Sequence, residues 1–317
     1  MKKLFKTILA ATIICCINST YIMADSWPLA QNVRLCHIIE LGHPYSTAKV
    51  NLSEKEAKLF GFKYDVFDTQ GDIPTQIRLI EDCITRQYDA ILIVVYDPSA
   101  LNAALKEAYD AGIPVIAEGG FPNESGRKWV STLVGSDGVA EGHAAGNLIC
   151  DKLKTGQNWV MIEGGPGHPI VAKRSTAKDV TSKRCPGVKL LAVDTGRWNR
   201  EKARTVMENL LTAHPGKIDL VYCHNDDMCL GAAKAIQERG LKDKILVVGV
   251  DGGAGEVYDA IKDGTMYATI LNDASFIAVN IVQIARDLIE NRPILREYIS
   301  PAIPITPKTV DNYPRLW

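Results

Sequence analysis

The sequence has no excess of charge of either sign. Lysine and arginine number 36 and aspartate and glutamate 37, which gives a formal net charge of −1 at pH 7. A basic face, the electrostatic footprint of a nucleic-acid-binding protein, is therefore not expected. Low-complexity segments are absent, and hydrophobic residues make up 46% of the chain, as in an ordinary globular protein. A chain of 317 residues can hold two domains.

Long apolar runs are also scarce, and the one near the N-terminus is too short and too interrupted to span a bilayer. Three lysines within the first six residues precede it, and the small-residue cleavage pattern Ile22-Met23-Ala24 ends it. This arrangement predicts a secretory signal peptide over residues 1–24 and a mature chain that begins at Asp25, with 33 basic and 37 acidic residues. We expect a soluble protein in the periplasm; a retained N-terminal anchor is the alternative.

Cysteine is the next informative residue type. An even number of cysteines in an oxidising compartment suggests disulfides, and six of them allow 15 connectivities. A fully reduced set is the alternative, because a buried cysteine also packs as a small apolar residue. The cysteines outside the predicted signal peptide are Cys36, Cys83, Cys150, Cys185, Cys223 and Cys229.

Short apolar runs alternate with helical patterns along nearly the whole chain. Apolar residues recur at helical spacing in Ile77, Ile80 and Ile84, and the helix through Leu105 is predicted to stop at Gly112. Strands that alternate with helices predict a parallel sheet with right-handed crossovers. The apolar runs that predict strands are 35–39, 91–95, 160–162, 220–222 and 245–249.

The alternation occurs twice, once before and once after about residue 135, which predicts two doubly wound α/β lobes. In open sheets of this kind, ligands bind beyond the carboxyl ends of the strands. The segments that follow the predicted strands are therefore the candidate ligand loops. These segments are 42–45, 96–98, 119–121, 164–168, 225–227 and 251–252.

Several motifs partly resemble metal-binding, phosphate-binding or catalytic sites but lack the residues that those sites need. The Cys223–Cys229 segment lacks a standard zinc spacing, so a local disulfide or a ligand loop is favoured over a metal site. The Gly164–His168 segment lacks the Gly-Lys-Ser/Thr ending of a phosphate loop and is interpreted as a structural turn. The six histidines form no catalytic signature, although His43 could touch a ligand, as could His168. Asp226 and Asp227 are either paired carboxylates or the start of a helix.

The second half of the chain carries a specific series of segments, among them Asn225-Asp226-Asp227-Met228 and Val248-Gly249-Val250-Asp251-Gly252. Its order and spacing resemble the periplasmic sugar-binding proteins of the ribose-binding type, over essentially the whole mature chain. The resemblance implies two lobes that close on a small ligand: 25–135 plus 273–300, and 136–272 plus 301–317. Hinge crossings are implied near 135–137, 272–273 and 301–302. The segments that carry the resemblance are 209–215, 225–232, 248–252 and 261–270.

The resemblance also implies a polar shell for the ligand in the second lobe. A polyol both donates and accepts hydrogen bonds, so carboxylate, amide and guanidinium groups suit it, and a tryptophan suits the apolar face of a sugar ring. By matching position, the implied residues are Arg174, Trp198, Asn225, Asp251 and Asn272.

The first lobe departs from the ribose-binding pattern. Where the family has an Asp-Arg pair, this chain has Gly119 and Gly120 after Glu118. Ribose itself is therefore not the expected ligand. We expect the replaced residues to cover the ligand from the side opposite Trp198; they are Tyr45, Tyr96 and Phe121.

A narrower similarity concerns two cysteine segments, Arg34-Leu35-Cys36 and Ile80 to Cys83. Both resemble the TorT-type periplasmic partners of TMAO-sensing histidine kinases. The similarity implies a Cys36–Cys83 disulfide, which is geometrically reasonable because the second helix crosses back over the first strand. Cys150–Cys185 and Cys223–Cys229 are further candidate pairs.

Three functions follow from these observations as hypotheses. The first is a periplasmic solute-binding protein, monomeric when free, that presents a sugar-like molecule to a membrane permease of an ABC transporter. The second is a ligand sensor that docks on a histidine kinase. The third, an enzyme, is not favoured because no nucleophile–base pair is visible, and no cofactor or metal is expected. The predicted signal peptide and the lack of an N-terminal helix-turn-helix exclude a repressor of related fold.

Overall fold

A computed structural model of the chain describes residues 32–317, so the predicted signal peptide lies outside the described residues. Strands and helices alternate as the sequence predicts. The strands are β1 (Arg34–Ile39), β2 (Lys63–Asp68), β3 (Ala90–Ile93), β4 (Val115–Glu118), β5 (Thr132–Ser136), β6 (Asn158–Glu163), β7 (Lys189–Thr195), β8 (Leu220–Cys223), β9 (Leu246–Asp251), β10 (Ala268–Leu271), β11 (Glu297–Ser300) and β12 (Ile303–Ile305). The helices are α1 (Pro44–Leu59), α2 (Ile73–Thr85), α3 (Asn102–Asp110), α4 (Glu124–Arg127), α5 (Gly138–Lys152), α6 (Pro169–Arg174), α7 (Ala177–Arg184), α8 (Arg200–Ala213), α9 (Asp226–Glu238), α10 (Gly255–Lys262) and α11 (Ala274–Ile289), with a 3₁₀ turn at Val310–Asn312.

The strands form two six-stranded sheets, in the orders β11-β5-β4-β3-β1-β2 and β12-β10-β9-β8-β6-β7. Pairing is parallel except between β10 and β12. Both sheets contain the doubly wound order in which the first strand lies between the second and the third. The prediction of two doubly wound α/β lobes is confirmed.

Helices cover both faces of each sheet. In the first sheet β3 is fully buried, as its continuous apolar sequence predicts. One face packs against α2 and α3, where Ile80 and Leu105 are fully buried, and the other packs against α11, where Ile281 is fully buried. Two further clusters occupy the faces of the second sheet.

The chain passes between the two sheets at three places. After β5, Asp137 caps α5 by accepting from the N–H groups of Val139 and Ala140, and α5 packs in the second lobe. After β10, Asp273 caps α11, which packs against α1 in the first lobe. The third passage joins β11 of the first sheet to β12 of the second.

Two disulfides tie secondary structure together. Cys36 of β1 bonds Cys83 of α2, with their Cα atoms 6.4 Å apart, and Cys150 bonds Cys185 with Cα atoms 5.6 Å apart. Both predicted pairs are confirmed.

The predicted Cys223–Cys229 disulfide is wrong, because both cysteines are free thiols buried in the second lobe. Cys223 ends β8, and Cys229 lies in the first turns of α9. The Cys229 thiol donates to the carbonyl oxygen of Val248 at 3.1 Å, so it bonds to the neighbouring strand instead.

No helix within residues 32–317 is long and apolar enough to cross a membrane.

Candidate functional site

A cavity lies between the two lobes at the carboxyl ends of their strands. Its volume is about 90 Å³, several times the roughly 10–15 Å³ that a single water needs. Seven of the eight predicted ligand residues line it: Tyr45, Tyr96, Arg174, Trp198, Asn225, Asp251 and Asn272. The remaining lining residues are Glu40, His43, Ser46, Lys49, Val94, Gly119, Ser136, His168 and Ile170.

Arg174, the last residue of α6, is held at three points. Its Nε donates to Oε2 of buried Glu141 at 2.7 Å, and its Nη1 donates to the carbonyl oxygen of His224. Its Nη2 lies 3.5 Å from Oδ1 of Asp251. Burial alone lowers the pKa of Arg174, but the carboxylates of Glu141 and Asp251 outweigh burial and raise it above its ordinary value. Arg174 therefore presents a fixed positive charge to the cavity.

Asp251 ends β9 in an unfavourable backbone conformation, with φ at 132°. Strain of this kind costs about 1–3 kcal/mol and is concentrated at functional sites. Burial raises the pKa of Asp251 to about 7, although Arg174 opposes the shift. Next to it, Oδ1 of Asn272 is buried without a hydrogen-bond partner among residues 32–317. A ligand hydroxyl would satisfy this oxygen, since a buried polar atom left unpaired is costly.

Asn225 caps α9, its side-chain oxygen accepting a backbone N–H at 2.9 Å, so its NH₂ group is available to the cavity. The two following carboxylates have separate structural partners. Asp226 accepts from the N–H of Gly252 at 2.8 Å, and Asp227 accepts from Nε of Arg200 at 2.8 Å. Of the two interpretations of this pair, the structure supports the helix start.

Aromatic rings form one wall of the cavity. Trp198 packs onto Gly164 so closely that a Cβ there would collide with the indole ring. The ring of His168 packs edge-on against two aromatic rings. Its centre lies 5.7 Å from the ring centre of Trp198 and 5.3 Å from that of Tyr96 in the other lobe. Burial lowers the pKa of His168 to about 3, so this ring is neutral at pH 7. The wall therefore offers an uncharged, largely apolar surface to a ligand ring.

The start of α1 supplies the polar groups of the first lobe. The Tyr45 hydroxyl and Nδ1 of His43 are both buried, and neither has a hydrogen-bond partner in the part of the chain that the structure describes. The other ring nitrogen of His43 lies 3.2 Å from Oγ of Ser46. The Tyr45 ring meets Trp317 edge-on at 5.9 Å. Unpaired polar groups at a cavity surface are positions where a ligand can form hydrogen bonds.

One pair of charged residues in this lobe was not predicted from the sequence to belong to the site. Lys49, on the turn of α1 after Tyr45, lines the cavity and donates to Oε2 of Glu118 at 2.5 Å. Oε1 of Glu118 lies 3.0 Å from Nε2 of His37, which contacts the Tyr64 hydroxyl through Nδ1. A glutamate that ends the otherwise apolar strand β4 was the available signal in the sequence.

Phe121 does not line the cavity, unlike the other predicted ligand residues. It packs against the core of the first lobe and against Gly135, and Nζ of Lys173 lies 5.4 Å from the centre of its ring. The turn at Gly119 and Gly120 carries the chain away from the cavity before Phe121 is reached.

Within residues 32–317, no three histidine, cysteine, aspartate or glutamate side chains are grouped so that they could hold a metal ion. The cavity instead combines hydrogen-bonding groups of both kinds with aromatic walls, and both lobes contribute to it. Such a site is suited to enclosing a small polar molecule. Fold and site together define a two-lobed ligand-binding protein.

Comparisons with known proteins identify the family. The family model described as "Periplasmic binding protein domain" matches residues 39–293. The ribose import binding protein of Bacillus subtilis is 34% identical over 262 residues, which cover 82% of this chain and 83% of that protein. The chain therefore belongs to the periplasmic binding protein family, and its resemblance to the ribose-binding type is confirmed.

Solved structures agree with this assignment. A periplasmic solute-binding protein of an ABC transporter from Actinobacillus succinogenes, with bound D-allose, has a TM-score of 0.82 and 25% identity. The match covers 89% of this chain and all of that one. The Caulobacter myo-inositol binding protein, bound to myo-inositol, has a TM-score of 0.83 and 26% identity, with 90% and 96% of the two chains covered.

Proposed function

We propose that this protein captures a small sugar or polyol in the cavity between its lobes and delivers it to the membrane permease of an ABC transporter. The observation that supports this most directly is the cavity itself. Its lining includes Trp198 together with Tyr45 and Asn272, residues of opposite lobes whose buried polar atoms are unpaired within the described part of the chain. The Bacillus subtilis relative is a ribose import binding protein, and the two solved structures hold D-allose and myo-inositol. All three are small polyhydroxylated molecules.

Each group has a role in this proposal. Trp198 packs on an apolar face of the ligand, and Arg174 and Asp251 bind hydroxyls as donor and acceptor. Asn225 donates its NH₂ group, and Asn272 accepts a ligand hydroxyl at Oδ1. Phe121 is left out of the ligand shell because it lies away from the cavity.

Movement of the lobes belongs to the same proposal. The lobe boundaries are 25–135 plus 273–300 and 136–272 plus 301–317, and the three crossings act as hinges. Ligand contacts made by both lobes exist only in the closed form, so binding shifts the population toward that form.

The proposed location is the periplasm, reached by means of the signal peptide over residues 1–24. The proposed activity is binding by a monomer, not catalysis, in keeping with the solute-binding proteins that the chain matches. A sensor kinase as partner is not favoured by the comparisons. The Cys36–Cys83 disulfide, which prompted that alternative, ties β1 to α2 within one lobe and fits either partner.

Calorimetric titration of the chain from Asp25 onward with D-ribose, D-allose and myo-inositol tests the proposal. We expect saturable binding of at least one of these at one site per chain. Trp198→Ala should weaken that binding, whereas Tyr109→Ala, at an aromatic residue 57% exposed in the other lobe, should not. Absence of binding to all three, or equal affinity in both variants, would contradict the proposal.

A further inference from the structure

Lys49 is unusual because its charged side chain is buried from solvent and also lines the ligand cavity. The side chain is 3% exposed, and its ion-pair partner Glu118 is fully buried. Removing a charge from water is costly, and such a pair is retained only when its geometry is good or when it serves another purpose. An ammonium has three N–H groups. Within the described part of the chain one of them bonds to Glu118, which leaves two for the cavity.

The loop after β4 leaves space at the cavity wall that the lysine of α1 occupies. Gly119 adopts φ of 69°, and a Cβ at Gly120 would collide with the carbonyl oxygen of Val95. Because both residues are glycines, the turn itself extends no side chain into the cavity. A Cβ at Gly119 would lie 3.8 Å from Nζ of Lys49, so the ammonium occupies the space beside the turn.

The charges around the cavity then decide what kind of ligand fits. Nζ of Lys49 forms an ion pair with Oε2 of Glu118 at 2.5 Å, and Nε of Arg174 forms one with Oε2 of Glu141 at 2.7 Å. Beyond these pairs, the cavity is lined by the carboxyl groups of Glu40 and Asp251. His43 and His168 also line it, and burial lowers the pKa of both, so they add no charge at pH 7. Within the described residues, a ligand carboxylate would therefore find no unmatched cation and would lie near two carboxyl groups, of which Asp251 is partly ionised at pH 7.

We infer that Lys49 is the ligand-selecting residue of the first lobe, and that its ammonium donates to an oxygen of an uncharged sugar or polyol. Glu118 is a positioning residue: held by His37, it fixes the ammonium and cancels the charge that would otherwise attract a sugar acid. This inference rests on the proposed function and specifies the ligand class of the same site.

The test compares three variants, Lys49→Met/Glu118→Gln, Glu118→Gln and Lys55→Met, by calorimetric titration with D-ribose, D-allose and myo-inositol, and with D-glucuronate as a charged probe. Lys49→Met alone leaves Glu118 buried and unpaired and could unfold the lobe. The double variant Lys49→Met/Glu118→Gln removes both charges and keeps a partner for His37. Lys55→Met, at an exposed lysine of the same helix, is the matched control.

We expect the double variant to fold and to bind the uncharged ligand about 10- to 100-fold more weakly, the loss expected for a charged hydrogen bond. Lys55→Met should match the wild type. In Glu118→Gln the Lys49 charge is unmatched, so D-glucuronate should bind at least about tenfold more tightly than it binds the wild type. A purely structural role for Glu118 would produce no such gain.

Three results would overturn the inference while sugar binding stands. These are affinity within about twofold of wild type in the double variant, no gain for D-glucuronate in Glu118→Gln, or wild-type binding of D-glucuronate as tight as that of the uncharged ligand. Failure of the wild type to bind any of the three uncharged probes would instead overturn the proposed function, and this inference with it.

Discussion

Replacing Asp251 by asparagine should make the protein more stable and its ligand binding weaker. Asp251 is 6% exposed and lies at the cavity wall, 3.5 Å from the nearest nitrogen of Arg174. Burial raises the pKa of this carboxyl from 3.8 to about 7, despite the opposing charge of Arg174. The ionised form is therefore disfavoured in the folded protein. Asparagine has the same shape, carries no charge and tolerates positive φ better than most residues.

The size of the effect depends on pH. Between about pH 4 and pH 7 the unfolded chain has released the Asp251 proton while the folded protein keeps it, so stability falls as the pH rises through this window. Above pH 7 the full cost is present, about 4 kcal/mol, because each pKa unit corresponds to about 1.4 kcal/mol. Asp251→Asn removes this cost. The variant should gain about 4 kcal/mol at pH 8 and about 1 kcal/mol at pH 4.5.

Urea unfolding at pH 4.5 and pH 8 measures both values, with Asp243→Asn, at an exposed carboxylate of the same lobe, as the control. At pH 8, where Asp251 is ionised, the same variant should bind its sugar about 10- to 100-fold more weakly, since it loses a charged acceptor. An equal stability change at the two pH values, or a loss of stability at pH 8, would refute the reasoning. Stability gained at the expense of binding is the usual pattern when a functional group is removed.

Further predictions concern the remaining charged group, the disulfides and the closing motion. Arg174→Met should lower the free energy of unfolding by about 3–5 kcal/mol, because Glu141 is then buried without its partner; a loss below about 1 kcal/mol in urea unfolding would contradict this. Replacing Cys36 and Cys83 by alanine opens a loop of sequence separation 47, which should cost about 4 kcal/mol in the chain-entropy model. A melting temperature of this double variant equal to that of the wild type would argue against a stabilising role for the disulfide. Solution scattering should show a smaller radius of gyration when a confirmed sugar ligand is added, and an unchanged radius with tight binding would indicate lobes that do not move.

Much of the fold could be predicted from local patterns. The run Ile91–Val95 is apolar throughout because both faces of β3 are covered, and Ile77, Ile80 and Ile84 recur at the spacing of one helix face. Boundaries were less accurate: β3 ends at Ile93, two residues before the apolar run does. The strand-end segments were correctly expected to meet, since carboxyl ends of parallel strands share one edge of a sheet.

The sequence by itself therefore determined the alternation of strands and helices and the two lobes, because these follow from periodicity. It also indicated seven residues of the cavity wall, five of them through its resemblance to the ribose-binding type. Only the tertiary structure decided which distant residues pair. Lys49 and Glu118 are 69 residues apart, and their ion pair joins α1 to the carboxyl end of β4. Cys223 and Cys229 are close in sequence, yet the bond that Cys229 forms is to Val248 on a neighbouring strand. Phe121 follows the strand β4, but it packs against the core of the first lobe instead of lining the cavity. Contacts of this kind are set by packing between elements, which local sequence does not encode.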